Sequence, residues 1–166
     1  MKLRLGVVDL PYAHSGITTD DVAEILEAKY GVMGSFAEVH EQGIADHLAN
    51  SMAGHLENMM MGAPAPVPSE DEAYERTLNR AGVTEGTGIN EGPFLGAFSA
   101  IRHDFDQFIT TEEIERQGIR GVPTQAALKG KSKRFKGGKN PAGRRPSFFD
   151  SGLYLSSFIA WLEGPL

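Results

Sequence analysis

The first ten residues alternate loosely between apolar and polar positions. The alternation places Leu3, Leu5 and Val7 on one side of an extended chain. Because side chains of a β-strand point alternately to its two faces, residues 2–10 are predicted to form a strand with one better-buried face. Pro11 ends this strand, since proline has no backbone N–H to donate.

An amphipathic helix is predicted next. Thr18 or Thr19 can accept a hydrogen bond at its N-terminus, and the acidic residues that follow face the positive end of the helix dipole. Gly31 is a typical C-terminal stop. The apolar stripe of this helix consists of Val22, Ile25 and Leu26.

A long helix is predicted to begin at the capping box Ser35-Phe36-Ala37-Glu38, whose serine and glutamate side chains satisfy opposite backbone donors. Apolar residues then recur at steps of three to five, at Phe36, Val39, Ile44, Leu48, Met52, Leu56 and Met59. The helix is expected to run to about Met61, either across the domain or along a subunit contact. A Pro-rich connector at residues 62–68 follows, because its prolines cannot continue a helix.

The middle of the chain is less regular. Ser69 and Glu72 form a second capping box, which predicts a short helix to about Arg80, and the glycine-rich residues 82–93 are predicted to be a loop. Residues 94–109 have the spacing of a helix, but their aromatic content also suits a strand, so both alternatives stay open. Their expected core residues are Phe94, Leu95, Phe98, Ile101, Phe105 and Phe108.

Three further local signals predict short elements. Thr110 and Glu113 form a third capping box, for a helix through Gln117 that stops at Gly118. Pro123 fits the first turn of another helix, which ends before Gly130. The run Asp150-Ser151-Gly152 predicts a turn or a helix start. With 166 residues and no internal repeat, the chain is expected to form a single domain.

Composition excludes several classes of site. The chain has no cysteine, which rules out disulfides, thiolate zinc sites, cysteine nucleophiles and iron–sulfur clusters. The N-terminus lacks the apolar stretch of a signal peptide, and no segment approaches the roughly 20 apolar residues of a membrane span. A protein made and kept in a cytoplasm is therefore expected, with no membrane partner.

Charge is distributed very unevenly. Residues 129–145, called the basic segment below, contain eight cations and no acid. The net charge of the whole chain is −6, so the other residues hold eight cations against all 22 acids and carry −14. This segment could bind a phosphate backbone, dock on an acidic protein surface, or lie in solvent. The candidate binding residues are Lys129, Lys131, Lys133, Arg134, Phe135, Lys136, Lys139, Arg144 and Arg145.

No catalytic, metal-binding or cofactor-binding residue is predicted. His40, His47 and His55 are seven and eight residues apart, whereas two ligands on one helix need a spacing of about four. The acids Asp104, Asp106 and Asp9 have no partner base or nucleophile at a useful spacing. The loop from Gly86 to Gly92 lacks the lysine of a phosphate-binding loop, and Ser147 and Ser151 lack the strand–elbow–helix context of a hydrolase. A protein that is not an enzyme is therefore expected.

Several runs in the C-terminal third follow one another in a characteristic order. They are GVPTQAALKG at 121–130, the basic stretch with Arg134-Phe135-Lys136, and RPSFFDSGLY at 145–154, followed by Ser157-Phe158 and Ala160-Trp161. Together they resemble the neck and tail-completion (head–tail joining) proteins of tailed bacteriophages, which commonly carry a basic loop, an Asp-Thr/Ser-Gly-Leu turn and a closing element. The matching turn here is formed by Asp150, Ser151, Gly152 and Leu153, with serine where threonine is frequent.

The resemblance implies both a fold and a function. The fold is α+β, with a small antiparallel sheet packed by a long helix and shorter helices, and with extended loops or arms. The function is that of a non-enzymatic structural virion protein, which forms a neck ring of six or twelve copies in a tail-completion, collar or terminator role. Its partners would be further copies of itself, portal, connector or tail-tube proteins, and exiting DNA contacted without sequence preference. The alternative is a DNA-binding accessory module that acts through the basic segment.

Overall fold

A two-stranded antiparallel sheet joins the two ends of the chain. The computed structural model describes residues 2–12, 16–62, 94–130, 143–149 and 152–163. Strand β1 (Lys2–Val7) pairs with β2 (Phe158–Glu163) in a register that runs from Lys2 opposite Glu163 to Val7 opposite Phe158. The predicted N-terminal strand is thus confirmed over its first six residues.

The described residues also form seven helices, so the expected α+β fold is confirmed. None of these helices has the length and apolar character that crossing a membrane requires. The helices are α1 (Thr19–Tyr30), α2 (Val32–Val39), α3 (Glu41–Met61), α4 (Leu95–Thr110), α5 (Glu113–Arg116), α6 (Gln125–Leu128) and α7 (Leu153–Ser156).

Helix α1 begins and ends as its sequence predicts. The Thr18 side chain accepts a hydrogen bond from the Asp21 amide, and the Asp21 carboxylate accepts one from the Thr18 amide, which forms a capping box. Gly31 ends the helix at φ 59°, a left-handed conformation in which a side chain would be strained. Both termini are therefore fixed by local residues.

The long helix predicted from Ser35 to Met61 is divided in two. Helix α2 starts earlier, at Val32, because the Glu27 carboxylate accepts hydrogen bonds from Met33 N and Gly34 N and takes the capping role assigned to Ser35. His40, at φ −103° and ψ 14°, then separates α2 from α3.

The apolar pattern of the sequence contains the reason for this break. Val39 and Ile44 are five residues apart, which turns them about 140° from each other on one straight helix. A single stripe therefore cannot bury both residues. The structure buries Phe36 and Ile44 and leaves Val39 exposed. The end of α3 agrees with the prediction, since Gly62 caps it at φ 66°.

Helix α4 forms the centre of the core. The helical alternative for residues 94–109 is correct, and the face made of Phe98, Ile101, Phe105 and Phe108 is buried. The ring of Phe105 stacks on Phe158 of β2 with 4.0 Å between centroids, and Phe36 meets Phe105 edge-on at 5.2 Å. Helix α4 therefore contacts the sheet, while the long helix α3 packs along α4.

The two short helices predicted after Thr110 and at Pro123 are present, but the predicted residues do not cap them. The Thr110 hydroxyl donates to the Asp106 carbonyl within α4, so it does not cap α5, which starts after Glu112. Thr124, rather than Pro123, begins α6, and its hydroxyl accepts from the Ala127 amide. The connector beyond Gly62, the Ser69–Glu72 capping box and the glycine-rich residues 82–93 lie outside the described residues.

Candidate functional site

The basic segment is described only near its two ends. Lys129 and Gly130 are placed at one end, and Gly143, Arg144 and Arg145 at the other. The remaining candidate binding residues lie outside the described residues; they are Lys131, Lys133, Arg134, Phe135, Lys136 and Lys139. Asp150 and Ser151 of the turn motif lie outside them as well. Residues 127–130 and 143–149, which flank the undescribed part of this segment, form what is called the base below.

The two ends of the basic segment meet at one point of the body. Gly130 is buried at φ 58°, and a Cβ atom there would overlap the carbonyl group of Gly143. Two residues further on, the Arg145 amide donates to the Ala127 carbonyl at 3.2 Å. The segment therefore leaves and rejoins the body at the same place, and its ends are held together by backbone contact.

Two glutamates of the body neutralise the first arginine of the base. The Arg144 guanidinium pairs with Glu112 at 2.9 Å and also with Glu115, whose side chain is only 9% exposed. The buried hydroxyl of Ser147 donates to the same Glu115 at 2.9 Å and accepts from the Thr124 amide at 3.2 Å. These contacts connect α5, the start of α6 and the base in one polar network.

Large apolar side chains accompany the cations of the base. The Arg145 guanidinium donates to the Phe149 carbonyl, which keeps the residue beside Phe149. Phe149 and Leu128 are both exposed. The ring of Phe148, in contrast, packs on Tyr30 at the end of α1, with 5.0 Å between centroids. The base thus offers a mixed cationic and apolar surface.

The turn motif joins the base to the sheet. Gly152 precedes α7 at φ 73°, a left-handed conformation that favours glycine, and Leu153 opens the helix. Strand β2 begins two residues after α7 ends. The motif residues that the structure describes therefore fix the path from the base into the core.

The histidines and acids weighed in the sequence are placed separately. His47 bonds to Asp104 at 2.9 Å and links α3 to α4, while His40 lies 3.4 Å from Glu113. Asp106 is two residues beyond Asp104, about 200° around the helix, so the two carboxylates do not form a pair. Within the described ranges, no three side chains of the metal-binding types come together.

Sequence reasoning missed the residues that build the base. The excess of cations implied an acidic counter-charge, but the pattern did not show that Glu112 and Glu115 of the same chain supply part of it. The sequence around Ser147 lacks the context of a catalytic serine and gives no sign that its hydroxyl is a buried link in the network. The one sequence signal for this pairing was the spacing of Glu112 and Glu115. Because they are three residues apart, both carboxylates lie on the same side of a helical turn.

A buried tyrosine near the turn motif was also missed. The Tyr154 hydroxyl has no hydrogen-bond partner among the described residues. Burial, with the charge of Glu27 as a second cause, raises the pKa of the Tyr154 phenol well above its usual range. Tyr154 is therefore a neutral core residue, and its ring meets Phe105 edge-on at 6.0 Å.

Comparisons of this chain with protein-family models, with curated proteins and with solved structures found no match.

Proposed function

We propose that this protein is a structural component of a tailed-phage virion, which forms an oligomeric ring in the neck and joins head to tail. The observation that carries the proposal is the base, where both ends of a cationic segment are fastened at one point of an acidic body. The ordered motifs of the C-terminal third support the same assignment, since they resemble neck and tail-completion proteins.

The base explains how such a protein would present its charge. Residues 131–142, which lie outside the described residues, contribute five cations between these two fastened ends. Arg144 is already neutralised by Glu112 and Glu115, so its role is to hold the base. In a ring the cations of successive copies repeat around the axis, where they meet an acidic neighbour or the exiting DNA.

Electron microscopy of the purified protein, mixed with portal or connector rings, tests the proposal. The expected result is closed rings of six or twelve copies stacked on the partner ring. A variant with Lys133, Arg134 and Lys136 changed to alanine is expected to lose the stacking. A wild-type protein that remains monomeric with every neck partner would contradict the proposal.

The alternative, a DNA-binding accessory module, is favoured by the eight cations that no acid interrupts. Binding of a monomer to duplex DNA would then weaken steeply with salt, because each phosphate contact releases counterions. The triple alanine variant would lower the slope of log Kd against log salt by about three. A matched control replaces Lys29, Arg116 and Arg120, three exposed cations outside the segment. Equal slopes for the two variants would exclude this alternative.

A further inference from the structure

Strand β1 is hydrogen-bonded along one edge only. The Val8 amide donates to the Ser157 carbonyl at 2.7 Å, which continues the register of β1 and β2. Because the backbone groups of an extended chain point alternately to its two sides, the even-numbered residues of β1 direct their N–H and C=O groups toward β2. Leu3, Leu5 and Val7 therefore direct theirs to the opposite side, which is called the outer edge below.

The outer edge of β1 has no hydrogen-bond partner among the described residues. Helix α1 begins on the other side of the strand, where the Thr19 hydroxyl donates to the Val8 carbonyl and accepts from the Leu10 amide. The far edge of β2 differs, since Phe158 and Ala160, whose backbone groups point away from β1, are fully buried. The outer edge of β1 is therefore the side of the sheet that can accept a further strand.

The side chains of β1 form one apolar and one polar face. Lys2 and Arg4 are exposed on the polar face, and the Arg4 guanidinium pairs with Glu163 at 2.7 Å. This ion pair neutralises a charge that would otherwise disfavour the approach of a second cationic strand. The residues that pack against the core are Leu3, Leu5 and Val7.

A second copy of β1 fits the outer edge in an antiparallel register centred on Leu5. With Leu5 opposite Leu5 of the second copy, Leu3 of each copy lies opposite Val7 of the other. These residues are the ones whose N–H and C=O groups point to the outer edge, so they form the hydrogen-bonded pairs of the new ladder. Each apolar side chain also meets an apolar partner on the core side of the sheet.

The polar face agrees with the same register. Arg4 then lies opposite Gly6 of the second copy, which has no side chain and is covered by the ring of Trp161, a surface on which an arginine stacks well. Registers shifted toward the N-terminus place like charges opposite each other, either Arg4 with itself or Arg4 with Lys2. Registers shifted toward the C-terminus place a leucine of the apolar face opposite Asp9. Both shifts are unfavourable, so the edge is complementary to itself in one register.

We propose that the outer edge of β1 pairs with the same edge of a second copy of this chain, with Leu5 at the two-fold axis. The sheet then has four strands, and about six backbone hydrogen bonds join the copies. The contact is isologous, so it closes after two copies. It rests on backbone groups rather than on the basic segment, so it is independent of the proposed neck ring and is not weakened by salt.

Sedimentation velocity up to 1 mM protein in 0.5 M NaCl tests the pairing, because this salt concentration screens contacts of the basic segment. A contact through one strand edge is smaller than the roughly 1,200 Å² of a standard interface, so a weak monomer–dimer equilibrium is expected in this range. Leu5→Pro removes an N–H that points away from β2 and should weaken dimerisation at least about tenfold. The matched control Leu5→Ala loses the same packing but keeps the N–H, and should stay within about threefold of the wild type.

A distance measurement tests the register without altering the edge. Because the chain has no cysteine, Lys2→Cys gives a single attachment site for a nitroxide spin label. In the register centred on Leu5, the two copies of residue 2 lie six residues apart along the strands, about 20 Å. Pairing centred on Leu3 would bring them to about 8 Å, and pairing centred on Val7 would separate them by about 33 Å. Double electron–electron resonance is expected to show a peak at 20–25 Å.

Three results would overturn the proposed pairing. The first is a wild type that stays monomeric at 1 mM, and the second is a dimer that Leu5→Pro weakens no more than Leu5→Ala does, since the contact would then lie elsewhere on the surface. The third is a spin-label distance that fits another register. If Leu5→Pro fails to fold, as judged by circular dichroism, the distance decides alone. Closed rings formed with neck partners would stand in each of these cases, because the ring does not use this contact.

Discussion

Gly130 and Gly143 make the base possible at the scale of single residues. Both have a positive φ, at 58° and 74°, but only Gly130 faces the opposing backbone closely enough to exclude a Cβ atom. Glycine is therefore favoured at position 130 by both its φ and the close backbone contact, and at position 143 by its φ alone.

Alanine substitutions at these two glycines separate the two reasons. Gly143→Ala should cost about 1–2 kcal/mol of unfolding free energy, from backbone strain alone. Gly130→Ala should cost at least about 3 kcal/mol, because its Cβ overlaps the Gly143 carbonyl and the base must open. Urea unfolding followed by circular dichroism measures both values. Equal losses in the two variants would mean that the ends of the basic segment do not meet.

Tyr154 gives a prediction about alkaline pH. The folded state raises the pKa of its phenol, so above the ordinary value of about 10 the unfolded chain releases the proton while the folded chain retains it. The raised pKa of Tyr154 therefore leaves stability unchanged below about pH 10 and lowers it as the pH rises further. Between pH 9 and 11, the unfolding free energy of the Tyr154→Phe variant should therefore decrease less than that of the wild type.

At neutral pH the same variant should be equal to the wild type or more stable by about 1 kcal/mol. The reason is that it removes a buried hydroxyl that has no partner among the described residues. Chemical denaturation at pH 7, 9 and 11 measures both effects. If the unfolding free energies of wild type and variant changed equally with pH, the fold would not be holding the phenol neutral.

At the scale of elements, the polar network between α5, α6 and the base determines how firmly the basic segment is held. Ser147→Ala should leave the Thr124 amide unpaired and take one hydrogen bond from the Glu115 carboxylate, at a cost of about 1–3 kcal/mol. Faster amide exchange is expected in α6 and the base. Ser156→Ala is the matched control, since that hydroxyl bonds only within its own turn. Equal exchange in the two variants would contradict a holding role for the network.

The elements show which parts of the fold can be predicted from sequence. The bounds of helix α1 were predictable because its cap and its stop are local, but its predicted apolar stripe was wrong at Ile25, which is 60% exposed. The apolar spacing of α4 indicated a helix without excluding a strand. The start of α2 was not predictable, since its cap is Glu27 from the preceding helix. The base was missed for the same reason: Glu115 and Ser147 meet only after the chain has folded, 32 residues apart.

At the scale of the whole molecule, the separation of charge would control the proposed association in two opposite ways. Bodies that carry −14 would repel one another, while the basic segment of one copy would attract the body of the next. Both effects are screened by salt, with a Debye length of about 10 Å at 0.1 M. The sign of the salt dependence therefore reveals which of them dominates.

Neutralising the cations of residues 131–142 should reverse that sign. In the wild type, raising the salt from 50 to 500 mM should weaken self-association, because the attraction between segment and body is screened. Changing Lys131, Lys133, Arg134, Lys136 and Lys139 to glutamine leaves a net charge of −11 instead of −6 and removes most of the attraction. For this variant the same increase in salt should strengthen any remaining association, since only repulsion is left to screen. Sedimentation equilibrium at both salt concentrations measures the two trends, and trends of equal sign would show that the basic segment does not contact the acidic body of another copy.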